Sequence, residues 1–159
     1  MKKIQKQILD ISVRYLILVA VAIPNLYLFY LILSPLTIYP VYFLLSLFFE
    51  VTLTGNLLMV EKMFPIELIN ACIAGSAYYL LLILNLSTPN LKNRIKLILI
   101  SFGSFLLFNI LRIFLLSLLF IYQSPAFGIT HKTLWYFGSI VFVILIWFAQ
   151  VKIFKIRGV

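Results

Sequence analysis

Charged residues are scarce in this chain, and their scarcity excludes most classes of soluble protein. Only 11% of the 159 residues are charged, whereas 64% are hydrophobic and the mean hydropathy is +1.15. Soluble domains contain about 25% charged residues. A soluble domain of this length has no core large enough for so many apolar side chains. We therefore predict an integral membrane protein.

Cysteine, histidine and acidic residues are also rare. The chain has one cysteine, one histidine and four acidic residues. The single cysteine, Cys72, excludes an internal disulfide and with it a disulfide-stabilised secreted module. One cysteine and one histidine are too few ligands for a zinc site, and no phosphate-binding glycine loop or nucleotide motif occurs. We expect neither a metal nor another cofactor.

The net charge of +9 raises the question of nucleic-acid binding. The basic residues do not form one surface, because ten of the thirteen lie in three short segments that flank apolar runs. These are Lys2, Lys3, Lys6 and Arg14; Lys92, Arg94 and Lys96; and Lys152, Lys155 and Arg157. Such a distribution is typical of the cytoplasmic flanks of membrane helices. We expect no nucleic-acid partner.

Four apolar runs are long enough, or nearly so, for the roughly 20 residues of helix that cross a bilayer. They are Tyr15–Leu33, Ala71–Leu86, Leu97–Ile121 and Thr133–Val151. We expect Pro24 to kink the first of them. The first run is long and no small-residue cleavage site follows it, so we interpret it as an anchor and not as a signal peptide. No internal repeat is visible.

The basic segments predict the topology. If residues 1–14, the loop 87–96 and the C-terminal segment are cytoplasmic, the four spans alternate and residues 34–70 begin and end outside. The predicted fold class is an all-α integral membrane protein of one domain, with both termini inside and a multi-pass location in the cell membrane. A five-span alternative would put one basic segment on the wrong side.

Residues 34–70 are predicted to form an external or interfacial segment. Thr37–Phe49 is apolar, and we expect it to form a helix that lies in the outer leaflet or dips into it. A short hairpin should follow, in which Asn56–Val60 pairs with Phe64–Ile69 around Glu61 and Lys62. In the four-span interpretation residues 37–53 lie at the outer interface. In the five-span interpretation they cross the bilayer.

Arg112 is the one arginine in the interior of a predicted span, where a polar residue is costly and suggests function. It lies fifteen residues beyond Leu97, about 23 Å along a helix, which places it in the outer half of the membrane. Asn109 lies three residues earlier on the same helical face. The alternative is that Arg112 snorkels to the external surface.

Cys72 lies at the start of its predicted helix, with Asn70 as a suitable N-cap. The unpaired amides of a helix N-terminus favour a thiolate. Small residues follow Cys72, Gly75 among them, and they leave room for a substrate. The alternative is an inert cysteine in an apolar helix.

His131 lies between the predicted external loop Tyr122–Thr130 and the last span. An imidazole exchanges protons near neutral pH, although a solvated loop histidine is the simpler interpretation. The predicted topology brings Cys72, Arg112 and His131 to the outer face. Together they supply a nucleophile, a positive group for an oxyanion and a proton carrier. Glu67, five residues before Cys72, is a candidate supporting residue.

Two short motifs resemble those of the exosortase/archaeosortase family. Ala71-Cys72-Ile73-Ala74-Gly75 resembles the family's A-C-[ST]-G motif, with one residue more between cysteine and glycine. Asn109-Ile110-Leu111-Arg112-Ile113 resembles the N-x-x-R-[IV] motif. His131 before the last helix matches the third conserved polar residue. The order and spacing of the three agree with the family core, and the resemblance covers the chain from about Arg14 onward.

The resemblance implies a protein-sorting cysteine peptidase or transpeptidase. Its substrates would be membrane-anchored proteins whose C-terminus carries a short motif, a transmembrane helix and a basic tail, and a membrane lipid is the expected acceptor. The resemblance implies Cys72 as nucleophile, Arg112 and His131 as its catalytic partners, and Asn109 as an orienting residue, in a site that faces the extracytoplasmic side.

Two other functions remain open from the sequence. The chain could be a non-catalytic membrane assembly factor in which Arg112 pairs with an acidic residue of a partner. It could also be a small transporter in which Arg112 binds an anion in a cavity. Replacement of Cys72 distinguishes both from an enzyme, since neither requires a thiol.

Overall fold

A computed structural model describes residues 2–23, 26–88 and 94–154. Within these ranges the chain is mostly helical, with one small sheet. The helices are α1 Lys2–Ala22, α2 Tyr27–Ser46, α3 Asn70–Ile73, α4 Gly75–Ser87, α5 Arg94–Ile121, α6 Phe127–Thr133 and α7 Ser139–Ile153, and a π turn, Leu134–Gly138, joins the last two. The strands are β1 Val51–Thr54, β2 Leu57–Val60 and β3 Phe64–Glu67.

Four helical stretches of the described chain are long and apolar enough to cross a membrane. They are Phe29–Ser46, Asn70–Ser87, Arg94–Ile121 and Phe127–Ile153. This architecture is compatible with the predicted all-α membrane protein. The apolar part of α1, Ile11–Ala22, is shorter than these four.

The first crossing differs from the prediction. Residues 15–33 do not form one helix, because α1 ends at Ala22 and α2 begins at Tyr27 after Leu26 in a left-handed conformation (φ 60°). The predicted kink at Pro24 lies outside the described residues. The outer-leaflet helix expected at 37–49 is instead the second half of α2. The apolar pattern on both sides of Pro24 and Asn25 predicted one kinked helix, and a left-handed leucine has no sequence signature that would reveal the break.

The predicted hairpin is confirmed, with Leu58 opposite Ile66 and Val60 opposite Phe64. Glu61 and Lys62 form its turn with positive φ angles (52° and 56°). A third strand, β1, was not predicted from the sequence and pairs with β2 through a turn at Gly55 (φ 64°). Glycine at the first position of a two-residue loop fits the type II′ turn that hairpins favour.

The sheet covers one end of the helix bundle. Leu58 and Val60 are fully buried and pack with Val41 and Leu45 of α2, beside the C-terminal half of α5. At the other end, Gln150 of α7 donates a hydrogen bond to the carbonyl oxygen of Leu97 (2.7 Å). The start of α5 and the end of α7 therefore lie side by side.

The two ends of the bundle differ in charge among the described residues. The bundle end away from the sheet carries Arg94, Lys96 and Lys152, which flank the Leu97–Gln150 contact. The three glutamates, Glu50, Glu61 and Glu67, lie in or beside the sheet. This separation is typical of a protein whose basic end faces the cytoplasm.

Candidate active site

Cys72 lies on a single helical turn and not at the start of a long helix. α3 ends after Ile73 because Ala74 adopts a left-handed conformation (φ 59°, ψ 43°). The predicted N-cap is wrong: Ile69 is the N-cap, and Asn70 is the first helical residue. One turn aligns few peptide dipoles. The helix N-terminus therefore gives a thiolate less support than the sequence suggested.

The break at Ala74 leaves the carbonyl groups of Cys72 and Ile73 without their usual helical partners. The amide of Ala77 donates to Ala74 (2.9 Å) and not to Ile73. Side chains of α5 replace the missing amides. Asn109 Nδ2 donates to the carbonyl oxygens of Cys72 (3.0 Å) and Ile73 (3.4 Å), and Arg112 Nη2 donates to that of Cys72 (3.3 Å). Asn109 and Arg112 thus hold the turn that carries the thiol.

Arg112 connects three elements from inside the bundle. Its Nη2 bonds to α3, as described above. Its Nη1 donates to Ser139 Oγ (3.0 Å) and to the carbonyl oxygen of Leu134 (3.5 Å). The side chain is only 9% exposed, and within the described part of the chain its enclosed Nε has no partner. The snorkelling alternative is therefore wrong.

His131 lies in a helix and not at the end of a loop. α6 begins at Phe127 and passes through the π turn into α7, so the predicted loop is four residues shorter than expected. The imidazole stacks on Phe127 (ring centroids 5.4 Å apart, interplanar angle 9°) and contacts Trp135 edge-on (5.5 Å, 87°). The rings of Phe127, one turn before His131, and Trp135, one turn after it, therefore hold the imidazole in place. π turns are frequent at functional sites.

Cys72, Arg112 and His131 line one cavity of about 530 Å³. The fold thus brings together three residues that are far apart in the sequence. Glu67 and Asn70 also line the cavity, and most of the remaining wall is apolar or aromatic. Cys72 is half-buried. Glu67 also accepts a hydrogen bond from Asn56 Nδ2 (3.4 Å).

Two of the predicted site residues lie behind the cavity wall. Asn109 is 1% exposed and acts on the main chain of Cys72 and Ile73. Gly75 is buried against Tyr30, whose ring atoms would lie 2.9 Å from a Cβ at position 75. Because Tyr30 lines the cavity, Gly75 shapes the cavity through this ring.

Ser139 and Tyr30 are site residues that the sequence analysis did not identify. Ser139 accepts a hydrogen bond from Arg112, and Tyr30 borders the cavity from α2. Neither belongs to a motif. Ser139 lies eight residues after His131, and the sequence does not show that the two share a helical face. The π turn between them adds a residue to one helical turn and so rotates the side chains of α7 relative to those of α6.

Among the residues that the structure describes, no three histidine, cysteine, aspartate or glutamate side chains come together as metal ligands would. Comparisons with protein-family models, with curated protein sequences and with solved structures found no significant match to this chain.

Proposed function

We propose that this chain is a multi-pass membrane cysteine peptidase or transpeptidase. It cleaves the C-terminal sorting signals of exported proteins at the extracytoplasmic side and passes the new C-terminus to a membrane lipid. The observation that carries the proposal is the single cavity lined by Cys72, Arg112 and His131. The resemblance of the two sequence motifs to the exosortase/archaeosortase family supports it independently.

Cys72 is the proposed nucleophile. Its thiolate attacks the carbonyl carbon of the scissile peptide bond, and an S–C bond forms. The tetrahedral intermediate then collapses, the C–N bond breaks, and the signal's C-terminal helix leaves as an amine. The product is a thioester between Cys72 and the exported protein. The thiol is half-buried and lines the cavity, and this supports the role because a substrate in the cavity can reach it.

Arg112 is proposed to supply positive charge to the thiolate and to the oxyanion of the intermediate. Arg112 lines the same cavity as Cys72 and donates to the carbonyl oxygen of that residue, and this proximity supports the role. Its hydrogen bonds to Cys72, Leu134 and Ser139 hold the charge in one position. A charge held in place before the reaction stabilises a transition state without reorganisation during it.

His131 is proposed to carry protons for the amine and the acceptor. As imidazolium it donates a proton to the departing nitrogen, and as neutral imidazole it accepts one from the incoming lipid nucleophile, after which the thiolate leaves again. Its position at the cavity, held between Phe127 and Trp135, supports this role.

Replacement of Cys72 is the decisive experiment. An exported protein of the same genome with a short motif, an apolar helix and a basic tail is co-expressed with the wild type, Cys72→Ser or Cys72→Ala, and its C-terminus is read by mass spectrometry. We expect both variants to leave the helix uncleaved. As a matched control, the double variant Ala71→Cys, Cys72→Ala moves the thiol by one residue and should be inactive. Normal processing by Cys72→Ala would favour the assembly factor or the transporter instead.

A further inference from the structure

β3 lies at the edge of the sheet and borders the cavity. The strand order is β1-β2-β3, so β3 pairs on one side only. Its residues Pro65, Ile66 and Glu67 line the cavity together with the next residue, Leu68. Pro65 and Glu67 are exposed while Leu68 is buried, because consecutive side chains of a strand point to opposite faces. Residues whose side chains point to opposite faces of β3 thus border the same cavity, as expected of a cavity that lies beside the edge of the strand.

The hydrogen-bond ladder leaves the main chain of Glu67 facing away from β2. The amide of Leu68 donates to the carbonyl oxygen of Asn56 (2.9 Å). Residues of an antiparallel strand alternate between facing the partner and facing away, so Ile66 also faces β2, whereas Pro65 and Glu67 face the opposite side. There, Glu67 offers one N–H and one C=O, and Pro65 offers a C=O only. Among the described residues, no strand lies beside this edge.

We propose that this edge binds an extended segment of a polypeptide substrate as a fourth strand, through main-chain hydrogen bonds to Glu67. The inference rests on the proposed function, because a segment laid along β3 enters the cavity that contains Cys72. An extended segment is the matching occupant, since the main-chain groups of a helix are already used within the helix. Strand addition accepts many side-chain sequences. Pro65 limits it to a short stretch, as prolines do at strand edges.

The probe for this proposal is the peptide acetyl-Val-Ala-Val-Ala chloromethyl ketone. The Cys72 thiolate displaces chloride from it: an S–C bond forms, the C–Cl bond breaks and chloride leaves. Four analogues, each N-methylated at one residue, lack one N–H each. Only alternate N–H groups of a paired strand face its neighbour. We therefore expect two of the four analogues, methylated at every second residue, to alkylate the wild type more slowly than the unmethylated peptide. The expected loss in rate is about three- to tenfold, which corresponds to the free energy of one hydrogen bond. The other two analogues should react at the rate of the unmethylated peptide.

Two variants of residue 67 separate the main chain from the side chain. Glu67→Pro removes the N–H that would donate to a carbonyl oxygen of the probe, and Glu67→Ala keeps it. We therefore expect the unmethylated peptide to alkylate Glu67→Pro about three- to tenfold more slowly than Glu67→Ala. Iodoacetamide is too small to pair with a strand and should alkylate Cys72 at similar rates in both variants.

Equal sensitivity at all four positions of the probe in the wild type would overturn the proposal, and so would sensitivity at none. The wild-type series decides the question even where Glu67→Pro loses iodoacetamide reactivity through misfolding. Alkylation requires neither His131 nor turnover. If strand pairing fails, the proposed peptidase activity is therefore unaffected. If Cys72→Ala processes the substrate normally, the peptidase proposal is wrong, while the alkylation data still report on strand pairing.

Discussion

At the scale of single residues, the guanidinium of Arg112 has a structural task besides its proposed chemical one. It donates to the main chain of Cys72 and Leu134 and to the hydroxyl of Ser139. Its planar shape lets it reach acceptors on α3, the π turn and α7 at once. A lysine has the same charge but a single ammonium group at the end of a flexible stem.

We predict that Arg112→Lys is nearly as damaging as Arg112→Ala. The lysine keeps the charge but cannot satisfy three acceptors on different elements, so processing should fall at least about tenfold. Processing of a co-expressed substrate and thermal unfolding in detergent measure the effect, with the exposed Lys96→Ala as control. If Arg112→Lys keeps most of the activity, Arg112 acts as a simple point charge.

For His131 we predict a difference between turnover and thiol reactivity. His131→Gln should slow processing about a hundredfold or more, the usual contribution of a general acid and base. Alkylation of Cys72 by iodoacetamide should change much less, because the proposed protons belong to the amine and the acceptor. The neighbouring Lys132→Gln is the control. A parallel loss of both rates would instead assign His131 to activation of the thiol.

The contact between Gly75 and Tyr30 allows a third test. Gly75→Ala places a Cβ 2.9 Å from the end of the Tyr30 ring, so the ring has to move, and we expect a loss of about 1 kcal/mol, the low end of what overpacking costs. Thermal unfolding in detergent should show the loss, and Tyr30→Ala in the same chain should restore much of it. Gly103→Ala is a matched control, since nothing lies within 4 Å of its Cβ. Equal effects of the two alanines would contradict the contact.

At the scale of elements, the interrupted helix around Ala74 determines the geometry of the site. A continuous helix over 71–86 would bind the carbonyl groups of Cys72 and Ile73 internally and leave Asn109 and Arg112 without these acceptors. The break costs about 1–2 kcal/mol, because Ala74 is left-handed without being glycine. The bonds from α5 offset this cost and attach the cysteine turn to the longest helix.

We predict that Asn109→Asp loosens this turn. The substitution replaces an amide donor by a carboxylate that repels the two carbonyl groups, and it should destabilise the protein by at least about 2 kcal/mol. Hydrogen exchange of residues 70–78 should rise more than exchange elsewhere. Gln123→Glu makes the same change from amide to carboxylate at an exposed position and is the control. Unchanged protection of residues 70–78 would show that Asn109 does not hold the turn.

At the scale of the whole molecule, the separation of charge along the bundle predicts its orientation. α5 has 28 residues, about 42 Å of helix, which exceeds the roughly 30 Å hydrocarbon core of a bilayer. Lys96 therefore reaches one membrane surface when the sheet lies at the other. The basic end is expected in the cytoplasm.

Cysteine accessibility tests this orientation on a Cys72→Ala background. We predict that an impermeant thiol reagent added to intact cells labels Lys62→Cys and Lys132→Cys, whereas Lys96→Cys and Lys152→Cys react only after lysis. The two pairs are controls for each other. Labelling of Lys96→Cys from outside would reverse the topology and place the cavity nearer the cytoplasmic side.

Some features of the site could be predicted because they depend on local chemistry. The apolar runs and the Glu61-Lys62 hairpin are local patterns, and hydrophobic periodicity is the strongest such signal. The helix of His131 was missed because Pro125 and Gly128 resemble loop residues, although Phe127, His131 and Trp135 have helical spacing. The N-cap was misassigned because asparagine is favoured at that position, while the chain used Ile69.

The sequence by itself determined that this chain forms apolar helices long enough to cross a membrane, because composition and run length depend on no contact between distant residues. It also determined which rare polar residues deserved attention, because polar groups in apolar helices are costly. Only the tertiary structure decided how these residues meet. The break at Ala74 and the π turn depend on packing between elements, because Asn109 and Arg112 of α5 supply donors to main-chain carbonyl groups of both.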